Sequence, residues 1–300
     1  MIWFGQILQG VLLGGYYALI ACGLSFMFSV MGVINLAHGS FAILAAFALW
    51  TLAEYLGISP LYGLVVVLPA MALLGVVFQR FVLERSSRAG FLIPVLSTFG
   101  LSICIDNILF QHFGADTRSL APFLDDLSYD SWEPLGGVFV GKLSAYIFLA
   151  AVALLGGLQL FLSRTFLGRA IRATAADHDT VGLVGIDARA INTYATAIAL
   201  VTVGIAGAAL AMRATFSPYA GGPQLIFAFE AAVIGGTGSL WGTLLGGVVL
   251  GVAQSIGAQL NPQGFLIAGH AVFLIVLVAR TLFGRLSDLL LALFISKATG

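Results

Sequence analysis

Long apolar runs separated by short polar or basic stretches follow one another from end to end of the chain. A helix that crosses about 30 Å of hydrocarbon needs roughly 20 mostly apolar residues. Runs near residues 7–30, 36–54, 61–79, 91–113, 143–163, 191–213 and 265–283 meet that requirement and predict seven spans. Residues 225–260 break the pattern: an apolar piece of 11 residues, Leu225 to Gly235, meets Gly236-Thr237-Gly238-Ser239, and about 20 apolar and small residues follow. The first piece is too short to span.

Basic residues orient the runs, because Lys and Arg in short loops are retained on the cytoplasmic side. Arg80, Arg85 and Arg88 mark one inner loop, Arg164, Arg169, Arg172 and Arg189 a second, and Arg280, Arg285 and Lys297 the C-terminus. The loop at about 114–142 sets Asp116, Asp125, Asp126, Asp130 and Glu133 against Arg118 and Lys142, which suits the periplasmic face. The N-terminus is then periplasmic and the C-terminus cytoplasmic. Six spans return the chain to the outside at Arg213–Gln224, and the last span must also begin outside. Residues 225–260 therefore go in and come back. Non-helical backbone at that depth is tolerated only when buried in protein or lining a wet cavity, which favours a broken, buried pair over two short crossings.

Composition sets the same frame. Hydrophobic residues make up 60% of the 300 and charged residues 9%, against about 25% charged in a soluble domain. The expected fold is an all-α integral membrane protein: one polytopic domain over residues 1–300, with about seven full spans plus the Gly-rich broken pair. Zero net charge leaves no extended basic surface for nucleic acid. Cys22 and Cys104 both lie in apolar runs and suggest neither a disulfide framework nor a thiolate metal site. Met1-Ile-Trp-Phe-Gly-Gln6 lacks the positive region and cleavage site of a secretory signal, so the first run is expected to be retained as a span. Glycine recurs every four residues at Gly10/Gly14, Gly238/Gly242/Gly246 and Gly247/Gly251, a spacing that lets helix backbones approach closely in lipid.

The inner loop at about 164–190 is the main stretch that is not membrane. From Gly168 to Asp187 it reads GRAIRATAADHDTVGLVGID. Ala170, Ile171, Thr174, Ala175 and His178 form a modestly apolar strip, with Arg169, Arg172, Asp177 and Asp179 off it. Gly182 and Gly185 break this short surface helix, and Asp187 is placed to cap the next span. An amphipathic connector on the lipid interface is one reading. The other is a helix that docks in a protein groove, favoured because the strip is rich in Ala rather than in the bulky residues of an interfacial anchor.

Three stretches in order resemble the permease subunits of bacterial branched-chain amino acid ABC importers, and the likeness runs over almost the whole length. MGVINLAHG at Met31–Gly39 is similar to the family's hallmark near its second span, GRAIRA through LVGI at Gly168–Ile186 to its ATPase-docking loop, and VIGGTGSLWG at Val233–Gly242 to its Gly-rich segment. The chain is more similar to the shorter of the family's two paired permeases. The resemblance implies a heterodimeric membrane core with a second homologous permease, two cytoplasmic ATPases that bind ATP and magnesium, and a periplasmic solute-binding protein. It makes the inner loop a coupling helix, with Gly168, Arg169, Arg172, Ala175, Ala176, Asp177 and Gly185 as its docking residues. It also marks Gly235, Gly236, Gly238 and Gly242 as the broken segment. Glu230 departs from the pattern, since a small or apolar residue is expected there.

Candidate chemistry is confined to a few polar groups in apolar runs. Asn35 with His38, Asp106 beside Asn107, and Glu230 are candidates for the translocation path or its gate, or else for hydrogen bonds that hold helices together. Asn35 is placed to cap the start of the second span at the cytoplasmic mouth. No catalytic grouping or metal-ligand pattern is visible. Gly136–Lys142 satisfies seven positions of a Walker A pattern, but Leu143 follows where Ser or Thr must hold magnesium. No cofactor is expected on this chain. A secondary transporter would show broken helices in both halves, and one such segment is visible. Urea, short amides and small carboxylates remain alternative solutes.

Overall fold

The computed structural model describes the backbone of residues 2–88, 90–135, 137–177 and 180–298, and side chains over the same residues except 125, 134, 135 and 283–298. Gly136, His178 and Asp179, and the side chains of Asp125, Arg285 and Lys297, therefore lie outside the described residues.

The helices are α1 (Ile2–Met31), α2 (His38–Leu56), α3 (Pro60–Phe78), α4 (Glu84–Ser87), α5 (Leu92–Phe113), α6 (Lys142–Arg164), α7 (Phe166–Ala176), α8 (Ala188–Arg213), α9 (Gly221–Gly235), α10 (Leu240–Leu260) and α11 (Gly264–Ala298). A single π-turn, Gln79–Leu83, joins α3 to α4. The 114–142 loop holds a small antiparallel hairpin of β1 (Ser131–Leu135) and β2 (Val138–Gly141). Local chemistry explains most boundaries. Gly32 (φ 63°) ends α1 and Gly57 (φ 63°) ends α2 in the left-handed conformation that favours glycine. Pro60 opens α3 where its missing N–H is harmless. Asp187 caps α8, accepting from Arg189 N at 2.9 Å.

Among the described residues, eight helices are long and apolar enough to cross a membrane. Seven match the runs expected from sequence, and the eighth is α10. The broken pair is thus unequal: α9, with 15 residues, reaches about 22 Å at 1.5 Å per residue, while α10 is full length. From Gly10 to Met27 α1 is almost wholly buried, whereas α3, α5, α6 and α11 turn most of their side chains outward.

Glycine sets how closely the buried helices approach. Gly10 and Gly14 on α1 lie against Gly251 and Gly247 on α10, and a Cβ added to Gly247 would fall 2.5 Å from the Gly14 carbonyl oxygen. Gly242 and Gly246 face Gly235 and Ala231 across the α9–α10 hairpin. Gly238 does not belong to that helical stripe as its spacing suggested. It sits in the turn with φ 93°, a conformation that favours glycine.

Replacing Gly247 with Val should force α1 and α10 apart, at a cost of at least about 1–3 kcal/mol. Size-exclusion chromatography of the detergent-solubilised protein should show a marked loss of the folded species. Gly5→Val, with nothing within 4 Å of the new Cβ, should behave as wild type.

Candidate functional site

Two chain reversals meet inside the bundle. In the first, the chain leaves α1 at Met31, turns at Gly32 and climbs back without helical structure before α2 begins at His38. The His38 Nε2 donates to the Ile20 carbonyl at 2.6 Å. Ile20 lies eleven residues before the end of α1, so α2 starts about 16 Å along α1 from Met31. Asn35 and His38 therefore sit deep beside the middle of α1, not at the mouth expected from the span boundaries. The reason is that 32–37 is an unwound ascent rather than a tight surface turn. Both side chains are fully buried. Asn35 Oδ1 accepts from Ala37 N at 3.0 Å, and Thr98 Oγ1 accepts from Leu36 N at 3.1 Å, so polar side chains satisfy backbone that no helix serves.

The second reversal follows α8. Phe216 pairs with Arg118 through backbone hydrogen bonds of 2.8 and 2.9 Å, the chain turns over Ser217–Ala220, and α9 starts at Gly221. That start rests on the start of α2: a Cβ on Gly221 would lie 2.8 Å from Ser40 N, and one on Gly39 would strike Gly221. Two helix N-termini are thus stacked halfway along α1. Sequence analysis identifies one broken segment, and the structure has two, because the first is written in ordinary apolar residues rather than in a glycine run.

Beside this junction α2, α5, α9 and α11 enclose a groove of 660 Å³, whose polar lining includes Ser40, Ser102, Asp106 and His270. Asp106 faces the Ser40 hydroxyl, and its Oδ1 is buried without a hydrogen-bond partner. Glu230 is 3% exposed. Its carboxylate meets His270 Nδ1, and its Oε2 is buried without a partner. The structure therefore brings Asp106 and Glu230 to one neighbourhood through His270. Asn35 and His38 are sealed in the turn, while Leu36 and Ser40 carry that turn to the groove wall. Sequence reasoning missed His270; the available signal was Glu230, a membrane carboxylate that needs a partner. It also missed the buried pairs Tyr17–Gln254 and Gln79–Thr196 and the half-buried pair Tyr16–Gln224.

The Gly-rich turn and α7 lie together at the end of the bundle where α1 finishes. Gly236 and Gly238 have φ of 94° and 93°, Gly235 abuts Gly242, and Ser239 Oγ caps α10 by accepting from Gly242 N at 3.0 Å. Gly238 N donates to Ser25 on α1 at 3.3 Å, and Arg280 donates to the Ile234 carbonyl at 2.9 Å, a cation at the C-terminal end of α9. Thr165 caps α7, accepting from Gly168 N at 2.9 Å, and Gly168 lies against the backbone of Phe161 and Leu162. The apolar strip of α7 packs on its own bundle, with Ala170, Ile171 and Thr174 buried. Arg169, Arg172, Ala173, Ala175, Ala176 and Asp177 are exposed, as is Gly185 (φ 78°). The described part of the strip is thus unavailable for a partner groove, except at Ala175. A cleft of 190 Å³ lined by Ser25, Ser29, Arg172, Ala175 and Gly238 separates α7 from the Gly turn. In the Walker-like stretch Val138–Gly141 is a strand and Lys142 pairs with Asp130 at 2.6 Å, so the described part forms no phosphate cradle.

A family model described as branched-chain amino acid transport system / permease component matches residues 6–285. The high-affinity branched-chain amino acid transport system permease protein BraD of Pseudomonas aeruginosa is 31% identical over 287 residues, covering 92% of this chain and 93% of that protein. The corresponding LivH of Escherichia coli is 27% identical, covering 91% and 92%. A probable branched-chain amino acid transport permease of Methanocaldococcus jannaschii is 27% identical, covering 92% and 90%. No solved structure matches.

Asn35→Ala should leave the Ala37 N–H unsatisfied and lower stability by about 1–2 kcal/mol. Thermal unfolding of the purified protein in detergent measures this directly. Asn107→Ala, whose exposed amide donates within its own helix and accepts from the Tyr219 hydroxyl at a long 3.4 Å, should shift the midpoint far less.

Proposed function

This chain belongs to the permease family of branched-chain amino acid transport systems, and from that premise we propose that it forms half of the translocation path for branched-chain amino acids or similar small solutes delivered by a periplasmic binding protein. It is a multi-pass inner-membrane permease subunit of an ABC importer and is not itself an enzyme. A homologous permease supplies the other half of the path, and ATP and magnesium bind in two cytoplasmic ATPase subunits. An unwound reversal in each half is also a feature of inverted-repeat secondary transporters. Family membership, and not the number of broken helices, assigns the class.

The observation that carries this reading is the position of α7. Its inner face is held by Ala170, Ile171 and Thr174, and its outer face offers Arg169, Arg172, Ala173, Ala176 and Asp177. Those outer residues are the surface on which an ATPase would bear. Behind α7 lies the cleft shared with Gly238, and Gly238 is hydrogen-bonded to α1. Because α7 packs on α1 and Ser25 of α1 holds Gly238, a push on α7 reaches the α9–α10 turn through α1, and α9 begins at the groove. This helix, the turn and the loop carrying Arg80, Arg85 and Arg88 face the cytoplasm, and the 114–142 loop faces the periplasm. Glu84 supports that grouping: it pairs with Arg88 at 2.8 Å and approaches Arg189 at 3.7 Å, so two basic loops share one end of the bundle.

Uptake by the complete complex in proteoliposomes tests the solute. Leucine, isoleucine and valine should be carried well ahead of urea, short amides and simple carboxylates, and a preference for the latter group would overturn the assignment. Orientation is tested in intact cells with an impermeant thiol reagent, which should reach Asp126→Cys and not Arg172→Cys. Ala176→Arg on the outer face of α7 should lower co-purification of the ATPases at least about fivefold, a steric effect of the kind seen in an overpacked interface. Complex assembly unchanged by this substitution would exclude that face as the docking surface.

A further inference from the structure

Resting on the family assignment, we propose that the groove between α2, α5, α9 and α11 is a transit site for the zwitterionic head of an α-amino acid. Asp106 takes the ammonium group, and the starts of α2 and α9 together with His270 take the carboxylate. The groove, at 660 Å³, is several times larger than an aliphatic amino acid, as a site that must release its solute requires.

Its lining is divided in a way that fits such a solute. Phe99, Ile103, Leu225, Ile226 and Leu266 provide an apolar wall, while Ser40, Ser102, Asp106 and His270 provide polar positions. A carboxylate facing lipid at the centre of a span costs at least about 2.5–3.5 kcal/mol. Asp106 therefore marks this face as one covered by water or by the second permease, and not by acyl chains. An ionised carboxylate only accepts hydrogen bonds, and Oδ1 of Asp106 is buried with none. An ammonium group brings three donors to it.

The carboxylate partner is supplied from the other wall. Ser40 belongs to the first turn of α2, and Gly222 and Pro223 to the first turn of α9. Helix starts carry unpaired N–H groups and partial positive charge, and two of them abut here. A helix start alone does not select a ligand. His270 does so beside it, in the same lining: the buried Glu230 carboxylate bonded to its Nδ1 fixes the ring, and in the imidazolium form Nε2 also donates. A neutral amide can donate to Asp106 but brings no charge to offset the carboxylate, so the groove favours zwitterions over urea.

The test uses the complete complex with its ATPases and binding protein, in a Cys104→Ser background. Ser102→Cys should react with a charged, water-soluble methanethiosulfonate, and turnover with leucine should slow that reaction at least about fivefold. Val65→Cys, on the outward side of α3, should react only with a lipophilic maleimide. If Ser102→Cys behaves like Val65→Cys, the groove faces lipid and the proposal is overturned. Asp106→Asn should lower leucine moved per ATP hydrolysed by about tenfold, and Asp106→Glu, which keeps the charge, should recover most of it. Wild-type transport by Asp106→Asn would overturn the ammonium assignment. Should Asp106→Asn fail to assemble, the Ser102→Cys labelling decides. Failure of the wild-type complex to carry any amino acid would refute the solute assignment itself, and this outcome is distinct because the basal accessibility of Ser102→Cys does not depend on the solute.

Discussion

Backbone that crosses a membrane without helical hydrogen bonds must find every partner inside the protein, and the ascent from Gly32 to Ala37 imposes that demand on everything around it. Asn35 and Thr98 meet it at the N–H groups of Ala37 and Leu36, and the His38 ring ties the end of the ascent to the Ile20 carbonyl of α1. The second reversal is then stacked on the first, because a glycine at 39 and another at 221 allow the two helix starts to touch. Larger residues would separate them, and the groove beside them would change shape.

The buried helix α1 serves both ends of this arrangement. Along α1 from its N-terminal side, Tyr16 and Tyr17 hold Gln224 and Gln254, Ile20 holds His38, and Ser25 holds Gly238 toward the C-terminal end. Such side-chain hydrogen bonds between membrane helices average only about 0.6 kcal/mol each. They align α1 with its neighbours and leave each contact weak enough to exchange. A transport subunit needs that combination, since its path must open at one end and then the other while the bundle stays intact. The glycine seam between α1 and α10 is the opposite case, a backbone contact with no room to slip.

The role of α7 is a matter of which face is used. Sequence periodicity locates an apolar strip, and strips of that kind serve equally to enter a partner or to pack at home. Here Ile171 and Thr174 are buried in the permease, which leaves the arginines and small residues outward. The helix is anchored to its own bundle through that face.

Much of this was legible in the residues themselves. Apolar run length located seven spans, the shortness of Leu225–Gly235 with its glycines marked the broken pair, and charge placement separated the two ends of the bundle. Each rests on a local property: the thickness of hydrocarbon, the conformational freedom of glycine, the position of arginine. The depth of Asn35, the meeting of Gly39 with Gly221 and the partnership of Glu230 with His270 join residues far apart in the chain. No local pattern encodes them, because hydropathy reports that a residue leaves water but not which helix it then faces. Only the packed bundle decided that Asp106 and His270 line one groove with Glu230 buried behind the histidine, since that follows from how closely small residues allow the helices to approach.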